Sequence, residues 1–289
     1  MPLPKTVRPR VYRAAIRTSA AVGHATSAVR MTPSFLIVGA QRSGTTSLYK
    51  AVTAHPNVLS AVMRKGIHYF DTGYPNGMAW YRGHFPTRLS ARRSQLRTGR
   101  APITGESSPY YMFHPTAGDR IAADLPGVRL LALVRDPVER AYSAYAHEFA
   151  RGYETETFER ALELEDERLA GEAERIAADP SYVSYHHQHH GYLSRGRYVE
   201  QLSRLADLVG PERICVVDSQ DFFTDPRPQY ARVLSFLDLP EWYPERFEQH
   251  NARSRSAMPD ELRARLQDHF APYDEKLADW LGRTPSWRR

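Results

Sequence analysis

Ser34-Phe35-Leu36-Ile37-Val38-Gly39-Ala40-Gln41-Arg42-Ser43-Gly44-Thr45-Thr46-Ser47 decides the fold of this 289-residue chain. The run at 34–38 is short, apolar and closed by a glycine, which reads as a buried parallel strand. From Thr45 the sequence turns helical as far as Ala54. It stops at His55-Pro56, because a proline disfavours helical geometry in the residue before it. Strand, glycine turn and helix in this order make a βα unit.

The unit recurs downstream. Val128 to Val134 is a second apolar strand and runs into Asp136-Pro137, an N-cap followed by proline at the first helical position. That pairing predicts a helix to about Phe149. Shorter strands are expected at Ile103–Glu106 and, after the Gly210-Pro211 break, at Arg213–Val217. Helices are expected at Arg197–Leu208, Tyr230–Leu237 and Pro259–Leu281, the last broken at Pro272. The charged stretch Phe158–Ala177 reads as one solvated helix. Alternating strands and helices predict an α/β fold: a P-loop-type parallel sheet with helices on both faces, in a single domain. Residues 1–32, rich in Ala, Arg, Ser and Thr, read as a basic N-terminal arm. Residues 33–289 form the domain.

The glycine turn at 39–47 lies where a phosphate cradle belongs. Backbone N–H groups and the positive end of a helix hold an anion there, and the hydroxyls of Ser43, Thr45, Thr46 and Ser47 add donors. The loop is not that of an ATP or GTP site, whose pattern is G-x-x-x-x-G-K-[ST]. Thr45 stands where that lysine would be, and the cation is Arg42, two residues before Gly44. A triphosphate donor is therefore disfavoured.

Residues 35–49 resemble the 5′-phosphosulfate loop of the sulfotransferases that use 3′-phosphoadenylyl sulfate (PAPS). The continuation His55-Pro56-Asn57-Val58 is similar too. Leu133-Val134-Arg135-Asp136-Pro137-Val138-Glu139-Arg140-Ala141-Tyr142-Ser143 resembles the family's second nucleotide motif. There the resemblance assigns Arg135 and Ser143 to the 3′-phosphate, a dianion suited by a fixed guanidinium and a hydroxyl. Tyr198 matches a position that often contacts the nucleotide. Asn251 to Ser256, with Arg253, Ser254 and Arg255, resembles the basic loop that closes over its phosphates. The likeness spans residues 34–289 and is greatest to the heparan-sulfate-type branch and its bacterial relatives.

The resemblance implies in-line sulfuryl transfer from PAPS to a hydroxyl or amine of a small-molecule or glycan acceptor, with a side-chain base removing the acceptor's proton. Met63 to Asp71 resembles K-E-x-H-F-F-D of the heparan-sulfate branch, in which the Glu is the base. Gly66 stands in its place here. His68, two residues on, is the expected base, since a neutral imidazole serves near pH 7. Glu106 is the alternative, and Lys65 and Arg42 are expected to stabilise the departing charge. Ser107 occupies a position where the animal enzymes often carry Lys. The leaving group is a phosphate, so no metal is expected, and the run His186–His190 lacks an accompanying carboxylate pattern.

Composition narrows the remaining options. Net charge is +6, only Lys5, Lys50, Lys65 and Lys276 are lysines, and no Asp or Glu precedes Asp71. An anionic partner follows from that asymmetry, taken here as a nucleotide rather than nucleic acid. The lone Cys215 excludes a disulfide scaffold. No apolar run is long enough to span a membrane, and Arg13, Arg17 and His24 interrupt every candidate signal core, so the cytoplasm is the expected location. Two rival functions stay open: a small-molecule kinase with a degenerate loop, and a non-catalytic binder of PAP or another polyanion.

Overall fold

The computed structural model describes residues 22–62, 64–250 and 257–289. Its centre is a five-stranded sheet in the order β2-β3-β1-β4-β5. The strands are β1 (Phe35–Gly39), β2 (Val58–Ser60), β3 (Ile103–Ser107), β4 (Arg129–Val134) and β5 (Ile214–Asp218). Every pairing is parallel, with Leu36 opposite Glu106 on one side and Leu130 on the other.

All five residues of β1 are buried, as a strand covered on both faces requires. Leu36, Val38, Leu130, Ala132 and Val216 face one apolar cluster, which α3 (Ala117–Asp124) and α5 (Tyr198–Val209) cover with Ile121, Leu202 and Leu205. Phe35, Ile37, Leu131, Leu133 and Val217 face the other, covered by Leu48 and Val52 of α1 (Thr45–Ala54) and by Phe222, Tyr230 and Val233 of α6 (Ser219–Thr224) and α7 (Pro226–Phe236). Each fully buried aliphatic side chain here stabilises the fold by about 1.5–3 kcal/mol. A third cluster joins α4 (Pro137–Ala150) to α8 (Asp260–Leu281) through Val138, Ala141, Leu262 and Phe270.

The strand order reverses about β1, with β3 on one side and β4 on the other. The crevice beyond the carboxyl ends of these strands is where open α/β sheets bind ligands.

Several expectations are corrected. The stretch 158–177 is three short helices, Phe158–Glu163, Glu165–Leu169 and Glu172–Ala178. Gly171, in a left-handed conformation, separates the last two. Glu165 and Glu172 are buried, because each accepts hydrogen bonds inside the fold; Glu165 takes the N–H groups of Tyr192, Leu193 and Ser194. The last helix runs unbroken through Pro272, its inward face held by Leu262, Leu266, Phe270 and Leu277. A helix not anticipated, α2 (Arg88–Thr98), begins at Thr87, whose hydroxyl accepts from Ser90 N–H. The described part of the N-terminal arm, residues 22–32, touches the body: Arg30 bridges Thr87, and Met31 N–H donates to Pro86 O.

The residues following α8 fold back onto β5. Ser286 N–H and Oγ–H both donate to the carboxylate of Asp218, at 2.8 Å each, and Arg289 pairs with Asp221. Asp218 also caps α6 by accepting from Gln220 and Asp221 N–H.

Candidate active site

Gly44 is the N-cap of α1, with φ +93° and no side-chain cap on the helix's first amides. A Cβ there would meet the Phe223 ring at 2.9 Å, and L residues rarely adopt that φ, so the position requires glycine. The turn also places Arg42 at φ +70°, an uncommon conformation for a non-glycine residue and one that clusters at functional sites. Ser43 N–H closes the turn on Ala40 O, so of the loop amides expected to hold an anion, that of Ser43 is already engaged.

Residues 41–46 form the floor of a cleft of about 700 Å³, within the range of small-ligand sites. Lys65, Arg135, Ser143 and His147 line one part; Ser219, Gln220, Phe223 and Thr224 of α6, with Gln249 and His250, line another. Among the described residues no Asp or Glu lines it. Arg42 Nε donates to Ser143 Oγ at 3.1 Å, and Arg135 Nη1 lies 3.5 Å from Arg42 O. The two motifs, ninety residues apart in sequence, therefore meet over one floor. Glu139 holds Arg135 at 3.5 Å and is itself held by Arg263 at 2.7 Å, which fixes the guanidinium at the strand end.

Lys65 is tied to the end of β3 through its carbonyl, which accepts from Ser107 N–H at 2.8 Å. Burial lowers its ammonium to about pKa 8, against the opposing pull of Glu106. It stays largely protonated at neutral pH and adds a third cation to the cleft.

His68 stands beside the cleft, its side chain 43% exposed, with Nδ1 2.7 Å from Asp71 Oδ2. The Asp71 side chain is fully buried, and Thr72 N–H and Oγ–H donate to its other oxygen. A buried carboxylate in this place holds the proton on Nδ1 and leaves Nε2 as the basic nitrogen. Burial pulls the imidazole pKa down, but the hydrogen bond and charge of Asp71 outweigh it, and the net shift is upward from 6.5. A Cβ built on Gly66 would come within 2.9 Å of Ser107 O and 3.4 Å of His68 Nε2. A side chain at position 66 would meet the Ser107 carbonyl first and the imidazole next.

Glu106, the alternative base, is engaged inside the fold. It is fully buried, and its oxygens accept from Ser108 Oγ at 2.6 Å, Tyr111 Oη at 2.6 Å and Ile67 N–H at 3.1 Å. Replacing Glu106 by Ala is expected to destabilise the fold by about 3 kcal/mol, because four donors, Tyr81 Oη at 3.4 Å among them, lose their partner. Thermal unfolding should show a fall in Tm of roughly 5–10 °C; an unchanged Tm would show these bonds to be dispensable.

Two more of the expected residues lie outside the cleft lining. Tyr198 is buried and donates to Arg135 O at 2.9 Å, so it supports the cleft wall from behind. Ser47 Oγ accepts from His250 N–H at 2.9 Å and fastens the 249–250 segment instead of facing the cleft. Arg253, Ser254 and Arg255 lie outside the described residues.

The structure also reveals parts that no motif announced. Arg195 is buried, donates to Gln41 Oε1 of the loop and to His187 O and Gln188 O, and lies over the rings of Tyr110 and Phe113. The histidine run serves this support: His187 pairs with Tyr110 Oη at 2.7 Å, and His189 with Glu148 at 2.9 Å. The α6 wall carried one usable signal, the capping residue Asp218 at the end of an apolar strand.

Residues 32–271 match the family described as Sulfotransferase domain, and the chain belongs to it. Members are PAPS-dependent sulfuryl-transfer enzymes, and the parallel sheet flanked by helices is theirs. The chain is 25% identical to the Membrane-associated sulfotransferase kil1 of Dictyostelium discoideum, over 89% of this chain and 66% of that protein. It is 25% identical to the mouse (Mus musculus) Heparan sulfate glucosamine 3-O-sulfotransferase 5, over 91% of this chain and 76% of that protein. Among solved structures, a sulfotransferase from Alicyclobacillus acidocaldarius superposes with a TM-score of 0.62 at 29% identity, covering 90% of this chain and all of that one. No helix among the described residues is long and apolar enough to cross a membrane.

Proposed function

We propose that this chain transfers a sulfuryl group to a hydroxyl or amine of a glycan or small-molecule acceptor, with His68 as the base. One observation carries the reading: Arg42, Lys65 and Arg135 converge on a helix-capped loop in a cleft that no described carboxylate lines. Such a cleft suits a ligand with anionic groups at both ends. When bound, PAPS supplies the sulfuryl group and a phosphate leaving group. Arg42, with the amides of Gly44 to Thr46, holds the 5′ end; Arg135 and Ser143 hold the 3′-phosphate. His68 Nε2 takes the acceptor's proton as the acceptor atom bonds to sulfur. Lys65 and Arg42 balance the charge left on the departing oxygen. The glycan class is suggested by the heparan sulfate relatives, although Gly66 replaces the carboxylate of that branch, so the acceptor need not be theirs.

The kinase reading is weaker, because it needs a carboxylate to seat magnesium at the phosphates and a lysine in the loop. Calorimetric titration with PAP, with and without magnesium, separates the two. Metal-independent binding is expected, weakened about 10- to 100-fold in Arg135→Ala, as loss of a charge-assisted contact implies. A magnesium-dependent preference for ATP would overturn the proposal.

A further inference from the structure

Helix α2 presents a surface that sulfuryl transfer does not use. It has eleven residues and buries only Ser94. Leu89 and Leu96, 59% and 82% exposed, are its outstanding apolar groups. At 3.6 residues per turn they fall within about 20° of each other, at the crest of the exposed face. Arg88 and Arg92 lie along one flank of this crest, Arg93 and Arg97 along the other, all four exposed. None of the four pairs with a described carboxylate, and no Asp or Glu occurs between Asp71 and Glu106. Arg100, by contrast, is neutralised by Asp238 at 2.8 Å. Val29, 55% exposed, adds a third aliphatic group beside the helix start, where Arg30 bridges Thr87.

From this geometry we infer that α2 docks the protein on an anionic lipid surface. An aliphatic crest between two rows of arginines is the arrangement of a helix lying in a membrane interface: leucines enter among the acyl chains while guanidinium groups meet lipid phosphates on either side. A soluble polyanion would engage the arginines and leave the crest in water. The leucines therefore decide between the two. The attachment is peripheral and salt-sensitive, since four arginines and a short crest supply it.

The test is co-sedimentation of the full chain with phosphatidylcholine vesicles, and with the same vesicles containing phosphatidylglycerol. Partition onto the anionic vesicles is expected to exceed that onto the neutral ones by at least about tenfold. Arg92→Gln with Arg93→Gln should weaken it by about 30-fold. Leu89→Ser with Leu96→Ser should weaken it by about tenfold, since two aliphatic groups leave the interface. All four positions are exposed, and circular dichroism melts confirm that the variants fold. Binding that survives both pairs of substitutions, or absence of binding, overturns the inference. So does binding that follows the arginines, ignores the leucines and is competed by heparin, which would make the face a polyanion site.

Discussion

Replacing His68 by Ala is expected to lower kcat by about 10²- to 10⁴-fold, the range for loss of a general base. PAP affinity should not change, because the imidazole lies outside the residues that line the cleft. The pH profile gives a sharper readout. A base works deprotonated, and Asp71 raises the His68 pKa above 6.5, so the acid limb of kcat/KM should lie above pH 6.5. Lys65 works protonated, and its pKa of about 8 should set the alkaline limb. A narrow bell between these limits is the expected result. In Asp71→Asn the imidazole loses the partner that raises its pKa, so the acid limb should move to lower pH while kcat falls, because the tautomer is no longer enforced. Stopped assays of sulfate transfer across pH check both points. A His68→Ala enzyme with wild-type kcat would remove the residue from the reaction.

Arg42→Ala is expected to cost about 10²- to 10³-fold in kcat, the scale of losing one preorganised charge at the departing oxygen. The residue is doubly committed. Its backbone occupies the left-handed region within the turn, and its side chain reaches Ser143 across the cleft at 3.1 Å. Arg42→Lys should recover only part of the rate, since an ammonium is a point charge without the guanidinium fork. PAP binding should weaken in both variants, more in Ala than in Lys. If kcat were retained while only affinity fell, Arg42 would be a binding residue and Lys65 the main stabiliser of charge.

What could be read in advance followed local rules. The bounds of α1 are Thr45 and Ala54, as the glycine turn and His55-Pro56 imply, and Asp136 caps α4 through Val138 N–H. Strand positions follow from apolar runs that must be covered on both faces. The failures arose where burial and polarity disagree. Glu165 and Glu172 are acidic residues that the fold buries, so 158–177 reads as a solvated face. Helix α2 buries only Ser94 and turns both of its leucines outward, so no core-facing apolar stripe marks it in the sequence. In the site, the loop and the Arg135 motif were visible because each is contiguous. The α6 wall and the Arg195–Gln41 link depend on residues distant in sequence. Nothing local shows that the oxygens of Glu106 are already engaged by Ser108 and Tyr111.

The clasp between Ser286 and Asp218 bears on how a minimal catalytic fragment should be cut. The family match ends at residue 271, within α8. Asp218 opens the helix that carries Ser219, Gln220, Phe223 and Thr224 into the cleft, and its carboxylate is shared with the residues that follow α8. A fragment trimmed to the matched span would keep every motif residue and still untie one wall of the cleft. The working unit of this enzyme is longer than its signature.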